Sequence, residues 1–481
     1  MKSSMERCQV VYSVLKTQIQ FGFYRSGDVL PSIETAASDF FVSVDTMRAA
    51  YLQLQREGFV TISTNIGTTV IKDYGKQEIE QNIQTFYAQR KHALIDLSRS
   101  LRPLLGHAQW IGFQNVPADI YSRIHGLESS TSRPEITVFK HIVQAYTALG
   151  NNLLLRLVWQ IFMFCEVPFI IMPDNPWRAF ALKEFSPCSL DCCMKQDWDS
   201  LRELVFASQD SLSLALCRFY DQRITMPPPE QEIPFQWNSY DKASQICYSL
   251  AMDLLISINK GRYPANTLLP SLSKLSHEKQ VSVSTVRRAL TLLNGVGATR
   301  SMKRIGTRVL PLSETTGNCD FTSPVVRKRL LDMAQSLQFL TLSCRDIAKD
   351  TIRVLGEEEL QMYRKRLSSL KDRQCYDLIG YTSMDFLTGS APYQAVRTIY
   401  KELLQMLFWG YSLRNIWKNE ASRITCYLPF FEEFDRSLAE KDAICFSGKL
   451  EELMVQEFHF TIQTLVSLGI HEAGKLLVRG I

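Results

Sequence analysis

A stretch of 60 residues occurs twice in this chain, and this repeat constrains the fold more than any other feature. Aligning residues 12–71 with residues 251–310 at a constant offset of 239 requires no gap and gives 19 identities in 60 positions. Unrelated sequences of typical composition would give about 3 or 4. The identities include Leu30-Pro31-Ser32 with Leu269-Pro270-Ser271. We therefore predict a tandem duplication, in which two halves each begin with the same small module.

The local pattern of the first copy predicts three helices followed by a β-hairpin. Apolar residues at helical spacing end at Gly22, and a short second helix is expected over residues 33–40. Ser43 is placed to cap a third helix over residues 44–56. Two β-rich runs within residues 59–71 flank a turn. This order is that of a winged helix-turn-helix, whose third helix enters the major groove of DNA.

The residues of both copies carry a family resemblance. In the first copy they are Gly22, Tyr24, Gly27, Asp28, Leu30-Pro31-Ser32, Ser43, Thr46, Arg48, Leu54, Glu57-Gly58 and Gly67-Thr68. In the second copy they are Gly261, Tyr263, Leu269-Pro270-Ser271, Ser282, Thr285, Arg287, Leu293 and Gly306-Thr307. Each copy resembles the DNA-binding domain of GntR-family bacterial transcriptional regulators. The resemblance covers about a quarter of the chain and implies that the partner is double-stranded operator DNA.

Both copies depart from the family at positions where it grips DNA. Where the family usually has an arginine directly after the serine of the recognition helix, this chain has Val44 and Val283. Near the start of the second helix, where another arginine is usual, it has Glu34 and Ser273.

The positive charge of the chain is concentrated in the second copy. Residues 12–71 contain four basic and five acidic residues, whereas residues 251–310 contain ten basic and two acidic residues. The net charges are therefore −1 and +8, in a chain whose total is +5. Since neutralisation of phosphates supplies most non-specific affinity for DNA, we expect the second copy to bind DNA more strongly than the first.

The predicted DNA-contacting residues lie on the two third helices and the two wings. Base edges are expected to be met by Ser284, Thr285 and Arg288. The other candidates in the second copy are Ser282, Arg287, Lys303, Arg304, Gly306, Thr307 and Arg308. Those in the first copy are Ser43, Asp45, Thr46, Arg48, Asn65, Gly67 and Thr68.

The rest of each half is predicted to be helical, so the fold class is mainly α. The predicted domains are two winged helix-turn-helix domains, each followed by a helical bundle, over residues 1–74, 75–240, 241–314 and 315–481. The strongest helical patterns are Ile79 to Leu105, Val138 to Phe164, Asp197 to Tyr220, Val325 to Leu355, Tyr393 to Leu413 and Leu450 to Leu468.

Part of the first helical region resembles the FCD effector fold of FadR-type regulators. The residues concerned are Phe139-Lys140-His141, Ala145 and Leu149-Gly150-Asn151-Asn152-Leu153-Leu154. This resemblance implies a helical bundle around a pocket for a small-molecule effector, usually a carboxylate, often with a metal ion. The ligand-binding residues stay unassigned at this point. Trp159, Phe162 and Phe164 are candidates to line such a pocket, although their spacing is more typical of core residues.

We predict no bound metal and no cofactor. The metal-binding members of the FCD family place an Asp four residues before a His on one helix face, but this chain has Ile136 and Lys140 at those positions. His141 is displaced by one residue, which rotates it about 100° away from that face. No two of the seven histidines are four residues apart. No catalytic motif appears either, so we predict that the chain is not an enzyme.

The location predicted for the chain is the cytoplasm. The first residues have no signal-peptide pattern, and the strongest apolar run, Asn152 to Met172, is interrupted by Arg156, Glu166 and Pro168. The twelve cysteines have irregular spacing without a CxxC pair, as in proteins whose thiols stay reduced.

These features together predict a transcriptional regulator built as a covalent pseudo-dimer. Regulators with one winged helix per chain dimerise to reach two half-sites, whereas this chain already contains two such modules. It would then act as a monomeric pseudo-dimer or as a homodimer. The alternative is an architectural or co-regulatory DNA-binding protein whose helical domains make only protein contacts. Activator and repressor roles both stay open.

Overall fold

A computed structural model of the chain describes residues 2–63, 65–121, 134–172, 175–237, 242–414, 416 and 421–481. Contacts within the chain divide it into two compact units. The first unit contains residues 1–102, 112–145 and 155–237, and the second contains residues 103–111, 146–154 and 238–481.

The first unit begins with the winged helix predicted from the sequence. Its elements are α1 (Lys2–Gln20), α2 (Ile33–Asp39), α3 (Val44–Arg56), β1 (Val60–Ser63) and β2 (Gly67–Val70). The two strands pair in antiparallel register, with Val60 opposite Val70 and Ser63 opposite Gly67. Apolar side chains of all three helices meet in one core that includes Leu15, Ala36 and Leu54.

The rest of the first half is helical. The helices are α4 (Lys76–Ala88), α5 (Lys91–Leu101), α6 (His107–Gln114), α7 (Pro134–Ala148), α8 (Asn152–Ile161), α9 (Val167–Ile170), α10 (Pro176–Phe180), α11 (Ser186–Lys195) and α12 (Trp198–Arg223). Single π-helical turns at Arg102–Gly106, Phe162–Glu166 and Ala181–Phe185 join neighbouring helices.

The second unit contains the second winged helix. Its elements are α13 (Lys242–Asn259), α14 (Leu272–Lys279), α15 (Val283–Gly295), β3 (Thr299–Met302) and β4 (Gly306–Val309). The register of the hairpin repeats that of the first copy, with Thr299 opposite Val309 and Met302 opposite Gly306.

A second set of helices completes this unit. It comprises α16 (Leu312–Asn318), α17 (Pro324–Val354), α18 (Glu357–Asp372), α19 (Ile379–Ser390), α20 (Gln394–Leu407), α21 (Ala421–Ala439) and α22 (Ala443–Ser467), with 3₁₀ turns at Tyr376–Leu378, Phe408–Leu413 and His471–Leu476. The 31-residue helix α17 is the centre of the bundle, because residues along most of its length are buried, among them Leu330, Phe339 and Ile352.

The observed elements confirm the mainly α fold with two winged helices. Two of the long helical patterns are nevertheless interrupted. The pattern from Ile79 to Leu105 forms α4, α5 and a π-helical turn that contains Pro103. The pattern from Val138 to Phe164 divides at Gly150, whose φ of 67° is left-handed and ends α7. The division of the chain into four domains at the predicted boundaries stays a prediction.

Two further properties concern the described residues only. None of the helices there combines the length and the apolar character that a membrane span requires. Within the same residues, no group of three His, Cys, Asp or Glu side chains is placed to hold a metal ion. Trp159, Phe162 and Phe164 pack against neighbouring aromatic or apolar residues of the first unit.

Candidate nucleic-acid interface

The recognition helix of each winged helix begins at a serine cap. The Oγ atom of Ser43 accepts a hydrogen bond from the backbone N–H of Thr46 at 3.2 Å. In the second copy, the Oγ atom of Ser282 accepts one from the N–H of Thr285 at 3.1 Å. Such a cap satisfies a backbone donor that the first turn of a helix leaves unpaired. The two serines therefore fix where each recognition helix starts.

In the second copy, one face of the recognition helix α15 is exposed and basic. Val286, Ala289 and Leu293 are buried on the inner face. Ser284, Arg287, Arg288 and Thr291 are all exposed. Spacings of three and four residues place these four side chains on one side of a helix.

The wing of the second copy adds two exposed cations beside this face. Lys303 and Arg304 lie at the turn between β3 and β4, together with the exposed Ile305. Arg304 has a left-handed φ of 62°. Within the described part of the chain, Arg287, Arg288, Lys303 and Arg304 form no ion pair with an acidic side chain. These four side chains are therefore a set of unneutralised cations, which we call the basic face.

Two other predicted residues of the second copy are less accessible than this basic face. Thr307 is buried, and its hydroxyl lies 3.0 Å from that of Ser301. Arg308 is half-buried, 3.4 Å from the side-chain oxygen of Asn266 and 3.9 Å from the carboxylate of Glu314. Thr307 thus belongs to the packing of the hairpin, and part of the charge of Arg308 is balanced within the domain.

In the first copy, half of the basic residues are paired with an acidic side chain. Arg48 is exposed but lies 3.1 Å from the carboxylate of Asp45 on the same helix. Lys16 lies 3.3 Å from Glu57. A hydrogen bond from Tyr12 lowers the pKa of the Glu57 carboxyl, so that this group stays anionic beside Lys16. Two of the four basic residues of this copy therefore have an acidic partner.

Among the other predicted residues of the first copy, some side chains are exposed and others are buried. Ser43, Asn65 and Gly67 are exposed. Thr46 and Thr68 are buried, with 3% and 6% of their surfaces exposed. Their side chains are therefore unavailable to DNA in this conformation.

The turn that leads into the first recognition helix packs against helices of the same unit. Lys140 lies 3.2 Å from Asp39 at the end of α2. The indole N–H of Trp159 donates a hydrogen bond to the carbonyl of Phe40 at 2.8 Å. Phe41 meets Phe139 edge to face, with ring centroids 5.3 Å apart. These contacts fix the turn in place, and we call them the α2 clamp.

The second copy has no aromatic residues with which to form such a clamp. In the sequence alignment of the two copies, Asp39, Phe40 and Phe41 correspond to Glu278, Lys279 and Gln280. All three of these residues in the second copy are exposed. The polar side chains leave this turn open to solvent. The α2 clamp was missed in the sequence because its partners lie about 100 residues away along the chain.

The sequence pattern also did not single out Lys274, which lies in the first turn of α14. Its side chain is exposed, and its ion pair with Glu278 is long, at 3.9 Å. A cation in the first turn of a helix is disfavoured by the positive end of the helix dipole. An external anion at this position would relieve that repulsion, and this consideration could have identified the residue.

Comparisons with known proteins agree with this geometry. The family model described as bacterial regulatory proteins, gntR family, matches residues 8–70 and again residues 249–309. The chain carries two helix-turn-helix domains of the GntR family. The two matched segments coincide with the winged helices described above.

Similarity to individual proteins is more limited. The chain is 36% identical over 88 residues to the uncharacterized HTH-type transcriptional regulator YieP of Escherichia coli strain K12, a match that covers 18% of this chain and 35% of that protein. A GntR structure from Streptococcus agalactiae is 18% identical, with a TM-score of 0.22, over 44% of this chain and 99% of its own. A GntR-family structure from Pseudomonas syringae pv. tomato gives the same identity and TM-score over 49% and 90%. The family assignment therefore concerns the two GntR-family domains, and the resemblance of the helical regions to the FCD fold stays a prediction.

Proposed function

We propose that this protein is a transcriptional regulator that binds double-stranded DNA chiefly through its second GntR-family domain. The observation that carries the proposal is the basic face. Its four cations are exposed on the recognition helix and wing and, in the described residues, have no acidic partner. Each contact between such a side chain and a phosphate releases about one counterion and so favours binding.

Different parts of this domain would have different roles. Ser284 and Arg288, which are exposed near the start of α15, would meet base edges in the major groove, since a recognition helix reads DNA with its N-terminal residues. An arginine can bind the O6 and N7 atoms of guanine together. Arg287 would contact a phosphate, and Lys303 and Arg304 would contact the backbone or the minor groove beside the wing.

The first GntR-family domain would make a weaker contact. Its recognition helix carries the ion pair of Asp45 with Arg48, and the α2 clamp restrains the turn before that helix. The two domains would then act as unequal halves of a fused pseudo-dimer. Since the symmetry of an operator mirrors that of the protein, unequal halves favour an asymmetric or poorly palindromic DNA site.

Control by a small molecule is the third part of the proposal. A cavity of about 200 Å³ in the second unit supports it, since small ligands bind in apolar cavities with a few polar groups. A ligand there would change DNA binding only if its affinity differs between two arrangements of the protein.

Binding titrations on DNA fragments selected by the purified protein would test the proposal. We expect Arg287→Gln/Arg288→Gln/Arg304→Gln to lose about 100-fold or more in affinity, because each arginine contact contributes roughly 1–3 kcal/mol. The matched control, Arg48→Gln/Arg56→Gln in the first domain, should lose less than about 10-fold. Equal losses in the two variants, with both folded by circular dichroism, would contradict the unequal roles of the two domains.

A further inference from the structure

The second unit contains a partly open cavity whose lining indicates what kind of molecule it accepts. The cavity has a volume of about 200 Å³ and lies between helices α17, α19, α21 and α22 and the turn at Phe408–Leu413. This volume is below the roughly 300–1,000 Å³ of pockets for drug-sized ligands. An occupant would therefore be about the size of an amino acid or smaller.

Seven of the seventeen described lining residues are aromatic or contain sulfur. Four aromatic side chains contribute to it: Tyr381, Phe408, Tyr411 and Tyr427. The rings of Tyr381 and Phe408 meet edge to face, with centroids 5.7 Å apart. Met333, Met384 and Met454 supply flexible, polarizable surface, which adapts to the shape of a bound group. Such a lining favours an apolar body.

Among the described residues, the charged groups of the lining are two acids and one base. The side chains of Asp377, Glu457 and Arg414 are all half-buried, and Arg414 lies next to Asn259. The guanidinium of Arg414 donates a hydrogen bond to the side-chain carbonyl of Asn259. The carboxylate of Glu457 accepts one from the hydroxyl of Tyr427. The described part of the lining thus has a net charge of −1 beside four aromatic rings.

We propose that this cavity binds a small organic cation, a primary or quaternary amine with an apolar body. The negative quadrupole of an aromatic face attracts a cation within about 6 Å of the ring centre. A carboxylate beside such rings adds a Coulombic attraction for the same cation. A carboxylate ligand, in contrast, would face two like charges and a single arginine that already binds Asn259. This inference rests on the proposed control by a small molecule.

The position of Asn259 gives the cavity a connection to the DNA-binding domain. Asn259 is the last residue of α13, the first helix of the second GntR-family domain. It lines the cavity and binds Arg414 from the adjoining turn. An occupant that displaces either side chain would therefore act directly on the base of that domain.

Thermal unfolding of the full chain with ligands matched in size and opposite in charge would test the inference. The probes are benzylamine and butylamine against benzoate and butyrate, each at millimolar concentration. We expect at least one amine to raise Tm by about 2 °C or more and neither acid to do so, since a ligand that binds only the folded state stabilises it. Glu457→Gln and Asp377→Asn should each reduce the shift at least twofold. Glu451→Gln, on the same helix but outside the cavity, should leave it unchanged.

Two outcomes would overturn this inference. The first is a shift by benzoate or butyrate that Arg414→Gln removes, since it would identify an anion site. The second is the absence of a shift with all four probes. DNA affinity is measured on the same samples without ligand. Intact DNA binding together with either outcome would reject the cation site and leave the DNA-binding proposal standing, whereas loss of DNA binding would reject the latter.

Discussion

The recognition helices of the two GntR-family domains bury equivalent residues and expose different ones. Met47, Ala50 and Leu54 in α3 are buried, and so are the residues 239 positions later in α15. On the outer face, however, the exposed Asp45 and Leu52 of α3 correspond in the sequence alignment of the two copies to Ser284 and Thr291 of α15. The inner residues preserve the fold, while the outer residues determine how strongly each helix attracts a polyanion.

A histidine in the core of the first unit makes stability sensitive to acid. His141 is fully buried, and neither ring nitrogen has a hydrogen-bond partner among the described residues. Its ring packs against Phe113 and Tyr121, and the hydroxyl of Tyr121 donates a hydrogen bond to the carbonyl of Phe113. Burial lowers the pKa of His141 from 6.5 to about 4. The folded state therefore holds the neutral ring well below the pH at which an exposed histidine is protonated.

Acid unfolding should reveal this effect. Above pH 6.5 the ring of His141 is neutral in both the folded and the unfolded state, so it does not change the free energy of unfolding. Between pH 6.5 and 4 the unfolded state gains a proton that the folded state does not. The contribution of His141 to the free energy of unfolding should therefore fall by about 3 kcal/mol as the pH is lowered through this range, since one pKa unit corresponds to about 1.4 kcal/mol. We expect His141→Phe to have a correspondingly flatter dependence of the unfolding free energy on pH.

The exposed His277 provides the control for this measurement. His277→Phe should reproduce the pH dependence of the wild type. A His141→Phe variant whose unfolding free energy declines with pH as steeply as that of the wild type would show that His141 does not cause the decline.

At the scale of elements, local sequence signals located the winged helices, whereas features that depend on tertiary contacts were not predicted. Serine caps and helix-ending glycines located the winged helices, and α3 begins and ends at the predicted residues 44 and 56. The break at Gly150 was not predicted, although a glycine with a left-handed φ is a local signal for the end of a helix. A Cβ atom at this position would also lie 2.8 Å from the carbonyl oxygen of Lys475. The cavity and the α2 clamp were missed because their residues are distant in sequence.

The segment after Gly150 is fixed by a buried hydrogen-bond network in the second unit. The side-chain amide of Asn151 donates to the side-chain oxygen of Gln338 at 2.7 Å and to the carbonyl of Gln335 at 2.8 Å. Gln338 in turn donates to the carbonyls of Leu149 and Leu476. Buried polar groups that are fully paired specify one arrangement of the elements that carry them.

Removing this amide should destabilise the second unit. We expect Asn151→Ala to lower the free energy of unfolding by about 2–4 kcal/mol, because it leaves buried polar groups unpaired and removes the cap of α8. Asn152→Ala, at the adjacent exposed position, should change it by less than about 1 kcal/mol. Chemical denaturation of both variants checks this expectation, and similar losses at the two positions would show that the network contributes little.

At the scale of the whole molecule, the two GntR-family domains differ in net charge and in whether the α2 clamp holds the turn before the recognition helix. Residues 12–71 have a net charge of −1 and residues 251–310 a net charge of +8. The more basic domain also lacks the α2 clamp. Both differences favour the second domain as the principal contact with DNA, and they support a regulator that binds an asymmetric site.

The salt dependence of DNA binding tests this central claim most directly. Each phosphate contact contributes about −0.9 to the slope of log K against log salt concentration. Neutralising Arg287, Arg288 and Arg304 together should therefore flatten the slope by about 2, since Arg287 and Arg304 are the proposed phosphate contacts among them. Neutralising Arg48 and Arg56 should change it by less than about 1. A slope that stays the same in the first variant, or flattens as much in the second, would contradict the claim that the basic face is the main contact with DNA.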